Sequence, residues 1–196
     1  ALVGTSSIRR AIQLRARRPD LRVTSIRGNV ETRIRKVAEG VVDATLLAAA
    51  GLQRLGLLDR AAQILSTTQM LPAAAQGVLG LEHRVDDRWI AALIEPLDDG
   101  AAHAQAEAER GLLRRLEAGC HAPVGTLATF DDDRSALKLE AFVGDASGQR
   151  SIRASRRGSR SEARQLGEQL ADALLEQGAD AFVQDAERDP TRWLES

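Results

Sequence analysis

Arginine residues follow several predicted strands of this chain, at the points where each strand gives way to a helix. Arg9 and Arg10 come after the strand remnant Leu2-Val3, through the hydroxyl-rich turn Gly4-Thr5-Ser6-Ser7. Three more arginines have matching positions behind the second and third strands: Arg27, Arg33 and Arg54. The carboxyl ends of parallel strands meet at one edge of a sheet, so these side chains should converge there. Because arginine pairs with carboxylate or phosphate in a planar, bidentate way, the pattern predicts a cleft for a ligand with several such groups.

The segment from Gly4 to Arg10 predicts a helix start, with Ser6 or Ser7 as its cap. Unpaired N–H groups and the helix dipole attract anions at such a start. Two arginines in the first turn are unfavourable there by roughly a few tenths of a kcal/mol, which a docked anion would offset. A Ser-capped helix with solvated arginines remains open. Other arginines lack a strand-end position and are interpreted as solvated: Arg15, Arg17, Arg18, Arg22 and Arg35.

The single cysteine, Cys120, follows a long predicted helix and Gly119, and it precedes His121-Ala122-Pro123. A loop of this kind lets a ligand reach the thiol, although a lone cysteine is more often a small buried hydrophobe. A catalytic Cys–His pair is a third reading, and a weak one because neighbours in sequence rarely point at each other. The three histidines are scattered, so we predict no metal site.

Strands and helices alternate over the first 70 residues. After Leu2-Val3 and a helix stopped by Pro19, the pattern predicts these elements: a strand from Leu21 to Ile26, a helix from Val30 to Glu39, a strand buried on both faces from Val41 to Ala48, and a short helix from Ala50 to Leu58. This rhythm is typical of an α/β domain with a doubly wound, mostly parallel sheet.

The rest of the chain predicts a different arrangement. The expected elements are a strand from Gly77 to Glu82, helices at 87–94 and 101–117 joined by a linker at 96–100, antiparallel strands at 124–130, 137–143 and 151–157, and a final helix at 161–177. The last three strands and the final helix would form a small α+β domain with a three-stranded antiparallel sheet.

Charge and hydropathy narrow the function classes. Residues 1–60 hold 12 Arg or Lys against 5 Asp or Glu, a net of +7, while the remainder hold 15 against 23, a net of −8. The asymmetry indicates an anionic partner for the first third. Nucleic acid is a poor candidate, because three Phe, two Trp and no Tyr leave little to stack on bases. Without a membrane-spanning run or a secretory signal, we expect a cytoplasmic protein with no membrane partner.

The segments named above, taken together, resemble the porphobilinogen deaminase (hydroxymethylbilane synthase) family. The family's motifs occur in order and cover essentially the whole chain, at Val3–Arg10, Arg27–Arg33, Asp43–Leu55, Leu71–Glu82 and Glu109–Gly125. The resemblance implies a periplasmic-binding-protein-like sheet domain. It also implies an activity in tetrapyrrole (haem) biosynthesis. Four porphobilinogen units are condensed, with loss of ammonia, into the linear tetrapyrrole hydroxymethylbilane on a dipyrromethane primer.

The resemblance also implies roles for individual residues. Cys120 matches the cysteine that holds the dipyrromethane cofactor through a thioether. The remaining cofactor contacts would be Thr5, Ser7, Arg9, Arg10 and Gln76, and the substrate-binding arginines would be Arg27, Arg33 and Arg54. Ala75-Gln76-Gly77 departs from the family's Gly-Gln-Gly, which would alter a tight hinge turn. Ala118 replaces the first glycine of a Gly-Gly-Cys run.

The same resemblance predicts a domain layout. Residues 1–71 would be the central α/β domain without its first few residues, residues 72–96 a returning piece of an absent first domain, and residues 98–196 the cofactor-bearing domain. No residue matches the family's catalytic aspartate, and Asp43, at a strand start, is not a substitute. We therefore assign no catalytic residue and expect this piece alone to be inactive.

Two further expectations concern partners. We expect the parent protein to be a monomer, and we expect this chain to self-associate through an unpaired apolar strand edge at Val78, Leu79 and Leu81. A non-enzymatic anion- or solute-binding module is the alternative function, because the same arginine placement suits capture without chemistry. A pyrrole bound covalently to Cys120 would separate the two.

Overall fold

A computed structural model describes residues 1–119, 121–189 and 191–194. The first part of the chain forms a three-stranded parallel sheet in the order β2-β1-β3, and three helices follow its strands. Val3 in the central strand lies opposite Val23 on one side and Ala44 on the other. The element bounds are β1 Leu2–Gly4, α1 Ile8–Arg17, β2 Arg22–Thr24, α2 Val30–Ala38, β3 Ala44–Thr45 and α3 Ala49–Arg54. The predicted alternation and parallel pairing are confirmed.

Local capping explains where the first two helices begin. The Ser7 side chain accepts a hydrogen bond from the backbone N–H of Arg10, and the Asn29 side chain accepts one from Thr32. Gly28 precedes the second cap with a φ of +126°, and a Cβ added there would lie 2.7 Å from the Thr32 side chain. Only glycine fits that turn, which aims the start of α2 at the end of the sheet.

Two strand predictions are wrong. The expected strand from Val41 to Ala48 is reduced to two residues, and Val41 is 55% exposed. β3 lies at the edge of a three-stranded sheet, so it lacks the second neighbour that would bury a long apolar run. The segment from Gly77 to Glu82 forms no strand, because no strand among the described residues pairs with it, and Leu79 is 82% exposed.

The second half of the chain forms an antiparallel sheet of order β4-β5-β6 with helices packed on it. A 3₁₀ turn at Glu95–Leu97 joins the first two helices. The bounds are α4 Arg88–Ile94, α5 Gly100–Arg115, β4 Val124–Phe130, β5 Leu137–Gly144, β6 Ser151–Gly158, α6 Ala163–Leu175 and α7 Ala179–Arg188. The three predicted strands are confirmed to within one residue.

Helices α5 and α6 bury their apolar faces on this sheet. Ala108 and Leu112 from α5 and Leu170 and Leu174 from α6 share one core with Leu139 of β5. Sequence reasoning took α6 as the last helix and missed α7. Gly178 reverses the chain with a left-handed φ of +88°, and α7 then adds Phe182 and Val183 to the core.

The outer edge of β4 is covered by groups from elsewhere in the chain. The Pro72 carbonyl accepts the N–H of Thr126 at 3.0 Å. The Gln105 amide of α5 donates to the Ala128 carbonyl at 2.8 Å. These bonds satisfy an edge that would otherwise offer free N–H and C=O groups to another strand.

A second core joins the parallel sheet to the antiparallel one. Ile8 and Ile12 of α1 pack with Phe142, Ala186 and Trp193. No helix within the described ranges has the length and apolarity needed to span a bilayer.

The interpretation of Arg15 as a solvated residue is wrong. Its side chain is 4% exposed, because it lies one helical turn beyond Ile12 and two turns beyond Ile8, on the face of α1 that packs against the second half of the chain. The other arginines assigned to solvated positions are exposed: Arg17, Arg18, Arg22 and Arg35.

Candidate functional site

Arg9 lies in the first turn of α1 and is buried, at 8% exposure. Its Nη1 donates to the Leu71 carbonyl at 2.6 Å, and its Nη2 donates to the Gln76 side-chain oxygen at 3.4 Å. Burial, with a smaller contribution from the charge of Arg10, lowers the pKa of Arg9 to about 10. The guanidinium therefore remains a cation at neutral pH in a place where charge is poorly solvated.

Arg10 and Arg33 complete a cluster of three guanidinium groups. Arg10 is half-buried and donates from Nη1 to the Leu46 carbonyl at 2.9 Å, while Arg33 donates from Nε to the Gly28 carbonyl at 2.9 Å. Burial and then the charge of Arg33 lower the pKa of Arg10. Arg10 therefore lies close enough to both Arg9 and Arg33 for the charges to repel.

No acidic side chain in the described part of the chain forms an ion pair with Arg9, Arg10 or Arg33. Buried and half-buried cations are normally paired with anions, because losing their hydration is costly. A cluster that lacks such pairing is suited to a ligand that carries anionic groups. The three side chains could hold carboxylate groups, and a ligand with several carboxylates stays a prediction.

The hydroxyl-rich turn before α1 shapes the start of the helix that carries Arg9 and Arg10. Thr5 is fully buried and its Oγ1 accepts from the Ser7 backbone N–H at 3.2 Å, while the Ser6 hydroxyl donates to the Ile26 carbonyl at 2.6 Å. Ser7 is the helix cap described above. In the described structure Thr5 and Ser7 therefore shape the start of α1, and direct contact of either hydroxyl with a ligand stays a prediction.

Gln13 is a contributor that sequence reasoning missed. It is buried one turn after Arg9 on the same helix, where its Oε1 accepts from the Leu71 backbone N–H at 2.7 Å and its Nε2 donates to the Leu71 carbonyl at 3.0 Å. The two residues thus hold the same carbonyl. An available signal was the i, i+4 spacing of two polar residues on a helix whose neighbours Ala11 and Ile12 are apolar.

Two predicted site residues make none of these contacts. Arg27 and Arg54 are exposed, and within the described structure neither guanidinium has a hydrogen bond or ion pair. Their convergence on the cluster stays a prediction. Cys120 lies outside the described residues, and its neighbours Gly119 and His121 are exposed. A recess of about 370 Å³ between the end of α5 and Glu187 reaches Gly119.

A larger recess does not coincide with the arginine cluster. It measures about 690 Å³ and lies between the start of α5 and residues 159–164, with His103, Glu107 and Arg160 in its wall. Asp43 accepts the backbone N–H of Leu2 at 2.6 Å, which is a structural role at a strand start. Across residues 1–119, 121–189 and 191–194, no three His, Asp or Glu side chains are grouped so that they could hold a metal ion.

Two family models match the chain. Residues 1–92 match the model described as the dipyromethane cofactor binding domain of porphobilinogen deaminase, which includes the arginine cluster and Gln76. Residues 103–176 match the porphobilinogen deaminase C-terminal domain.

Curated relatives agree with the family models. The chain is 49% identical over 183 residues to a porphobilinogen deaminase of Roseiflexus sp. (strain RS-1), covering 93% of this chain and 59% of that protein. It is 50% identical over 179 residues to one from Desulforudis audaxviator, covering 91% of this chain and 57% of the relative. For one from Syntrophobacter fumaroxidans the identity is 45% over 186 residues, with coverages of 95% and 60%. The chain thus spans less than two thirds of the length of these relatives. It belongs to the porphobilinogen deaminase family.

Proposed function

We propose that this chain is the primer- and chain-holding part of an enzyme that condenses four porphobilinogen units into hydroxymethylbilane. Each condensation joins one pyrrole to the growing chain and releases one ammonia. The observation that carries the proposal is the cluster of Arg9, Arg10 and Arg33, which has no ion-pair partner among the described residues. Family membership supplies the identity of the anion: pyrroles that carry acetate and propionate groups.

We assign the dipyrromethane cofactor to the start of α1 and to Cys120. Arg9 and Arg10 would bind its carboxylates, Gln76 would orient Arg9, and the Cys120 sulfur would hold the cofactor through a thioether. Arg33, with Arg27 and Arg54, would bind the carboxylates of the added units. When bound, the cofactor supplies the pyrrole end to which the first porphobilinogen is joined. No general acid or base is assigned among the residues of this chain.

The proposed domain layout follows the two sheets. Residues 1–71 contain the parallel sheet, residues 98–196 contain the antiparallel sheet, and residues 72–96 connect them. The sheet order β2-β1-β3, with all strands parallel, supports a periplasmic-binding-protein-like architecture for the first unit. The family matches over residues 1–92 and 103–176 support a division between them.

The intact mass of the chain under denaturing conditions tests the cofactor assignment. In an incubation with freshly prepared hydroxymethylbilane, the Cys120 thiol would displace the hydroxyl group of the bilane as water. We expect the mass to rise by one hydroxymethylbilane less one water, and we expect Cys120→Ser to show no rise. An unmodified cysteine, together with tight reversible binding of hydroxymethylbilane, would instead favour the non-enzymatic anion-binding module. An unmodified cysteine without binding would contradict both functions for this chain.

Loss of a cluster arginine should weaken tetrapyrrole binding. We expect Arg10→Leu to reduce the affinity for uroporphyrin I, a stable tetrapyrrole with eight carboxylates, by about tenfold or more, because one charge-assisted contact is removed. Fluorescence titration measures the affinity. Arg22→Leu is the matched control, since Arg22 is exposed and lies away from the cluster on β2. Equal losses in both variants would indicate a general charge effect.

The pH dependence of binding should follow Arg9. Because burial lowers its pKa to about 10, the cation is present below that pH and is lost as pH rises through it. Acetate and propionate carboxylates are ionised above about pH 5. We therefore expect uroporphyrin affinity to be flat between about pH 6 and pH 9 and to fall above about pH 10. Circular dichroism at each pH checks that the fold is retained. A fall centred near pH 7 would point to a histidine instead.

The connecting segment is expected to cause self-association of the chain. Leu79, Leu81, Val85 and Trp89 are all more than half exposed, as are Leu93 and Leu97 further along. So many exposed large apolar side chains over 19 residues favour burial against a second copy. Sedimentation velocity over a concentration series should show dimers, and Leu79→Ser combined with Trp89→Ser should reduce them. A concentration-independent monomer would contradict this expectation.

A further inference from the structure

Glu109 of α5 is a buried carboxylate whose two oxygens bind two different segments. Oε1 accepts the N–H of Ala128 in β4 at 2.7 Å, and Oε2 accepts the N–H of Ala75 at 2.5 Å. The side chain is 4% exposed, and among the described residues no cation pairs with it. Its hydrogen-bond partners among these residues are therefore backbone N–H groups alone. These bonds matter because burying an ion without partners costs free energy.

Ala75 has an unusual backbone conformation. Its φ of +55° lies in the left-handed region, which residues with a Cβ adopt reluctantly. Two backbone hydrogen bonds close the turn around it, from Gln76 N–H to the Ala73 carbonyl at 3.2 Å and from Val78 N–H to the Ala75 carbonyl at 3.1 Å. An outside group that holds the Ala75 N–H therefore helps to keep the turn in this shape.

The same turn determines where Gln76 points. The Gln76 side-chain oxygen accepts from the Ala73 backbone N–H at 2.9 Å and from Nη2 of Arg9 at 3.4 Å. The Leu71 carbonyl, a few residues earlier, accepts from Nη1 of Arg9 at 2.6 Å. Of these two acceptors, Gln76 is the neighbour of Ala75, which Glu109 holds, whereas Leu71 is held by Gln13.

We propose that Glu109 is a positioning residue for the anion site: it holds Ala75 in its left-handed conformation, so that the Gln76 side chain orients Arg9. The ligand that Arg9 then meets rests on the proposed function above, whereas the orientation of Arg9 does not. Glu109, in the antiparallel-sheet half of the chain, would thus set the orientation of the Arg9 guanidinium in the parallel-sheet half.

Glu109→Gln should remove one of the two hydrogen bonds to the backbone with little change in the shape of the side chain. Its amide has one acceptor oxygen and one NH₂ group, so one of the two backbone N–H groups would face another donor. Ala75 is the partner that is freer to move away, because Ala128 is fixed within β4 whereas Ala75 lies in a strained turn. The turn should then relax and release Gln76.

The decisive readout is the chemical accessibility of Arg9 in the ligand-free chain. We expect Glu109→Gln to raise the rate of phenylglyoxal modification at Arg9, located by peptide mass mapping, by about tenfold, and to speed amide exchange over residues 72–78. Adding Ala75→Gly should restore much of the protection, because glycine adopts the left-handed conformation without help. Glu107→Gln, on the same helix, is the control and should leave Arg9 unchanged.

Several results would overturn the proposal. One is a folded Glu109→Gln variant in which Arg9 is as protected as before. Another is a gain in Arg9 reactivity that Ala75→Gly does not reverse, since Glu109 would then act through Ala128. If Glu109→Gln does not fold, Ala75→Val decides the question with Glu109 intact. A β-branched side chain disfavours the left-handed turn, so Arg9 should again become reactive, and unchanged protection would refute the proposal.

A ligand titration separates this proposal from the proposed function. Glu109→Gln should weaken uroporphyrin I binding about tenfold, and Ala75→Gly should partly restore it. If the original chain does not bind uroporphyrin at all, the proposed function is contradicted, while Arg9 modification and amide exchange still test whether Glu109 positions Arg9.

Discussion

Replacing Gly167 with alanine is expected to lower the free energy of unfolding by about 3 kcal/mol. Gly167 lies in α6 at its contact with α5. A Cβ added there would lie 2.1 Å from the Ala108 carbonyl oxygen and 2.7 Å from the Leu112 backbone nitrogen. Both are backbone atoms of a helix, so no side chain can rotate away. The two helices would have to separate, and the core between them would lose packing.

The gain in helix propensity from glycine to alanine offsets only about 1 kcal/mol of that cost. Urea denaturation followed by circular dichroism measures the difference. Gly51→Ala in α3 is the matched control, because a Cβ there meets only the Val30 side chain at 3.6 Å. We expect that control to be neutral or slightly stabilising. If Gly167→Ala left the urea midpoint unchanged, α5 and α6 could not be packed backbone to backbone.

Replacing Arg15 with alanine is expected to cost about 3 kcal/mol of stability. The Arg15 side chain is buried, and its Nη1 donates to the Ala146 carbonyl at 2.8 Å and to the Trp193 carbonyl at 2.6 Å. These acceptors belong to the β5–β6 turn and to the 3₁₀ turn near the end of the chain. Truncation would leave both carbonyls without this donor and would open a cavity beside Ile12.

Arg22→Ala is the control for Arg15, because Arg22 is equally basic but exposed, and its loss should change stability by less than about 0.5 kcal/mol. Urea denaturation with tryptophan fluorescence suits this pair, since Trp193 lies in the same core as Ile12. If the two variants were equally stable, Arg15 would not join the two halves of the chain in solution.

Several features of the fold could be predicted from the sequence because their causes are local. Ser7 and Asn29 cap helices with their own side chains, and Asp87 does the same for α4. The strands of the antiparallel sheet were predicted to within a residue, because short polar turns separate apolar runs. In one of those turns the Asp131 carboxylate accepts the Ala136 N–H at 2.7 Å, only five positions along the chain.

The arginine cluster was predicted in part for the same reason. Arg9, Arg10 and Arg33 follow strand ends, and parallel pairing brings strand ends to one edge of a sheet. The predicted strand from Gly77 to Glu82 failed because a strand also requires a neighbour, and the local pattern of apolar residues says nothing about which neighbours are present. β3 was predicted too long for a related reason, since its burial depended on a strand that does not flank it.

The sequence by itself therefore determined the starts of the helices before α7, the antiparallel strands, the family and the arginines at the strand ends. Only the tertiary structure decided that Gln13, Arg15 and Glu109 are among the buried polar side chains. Each is buried because it reaches backbone groups far away in the chain: Leu71 for Gln13, 58 positions on; Trp193 for Arg15, 178 positions on; and Ala75 for Glu109, 34 positions back. Side-chain periodicity along one helix contains no information about such partners, because their positions are set by how the two halves of the chain pack.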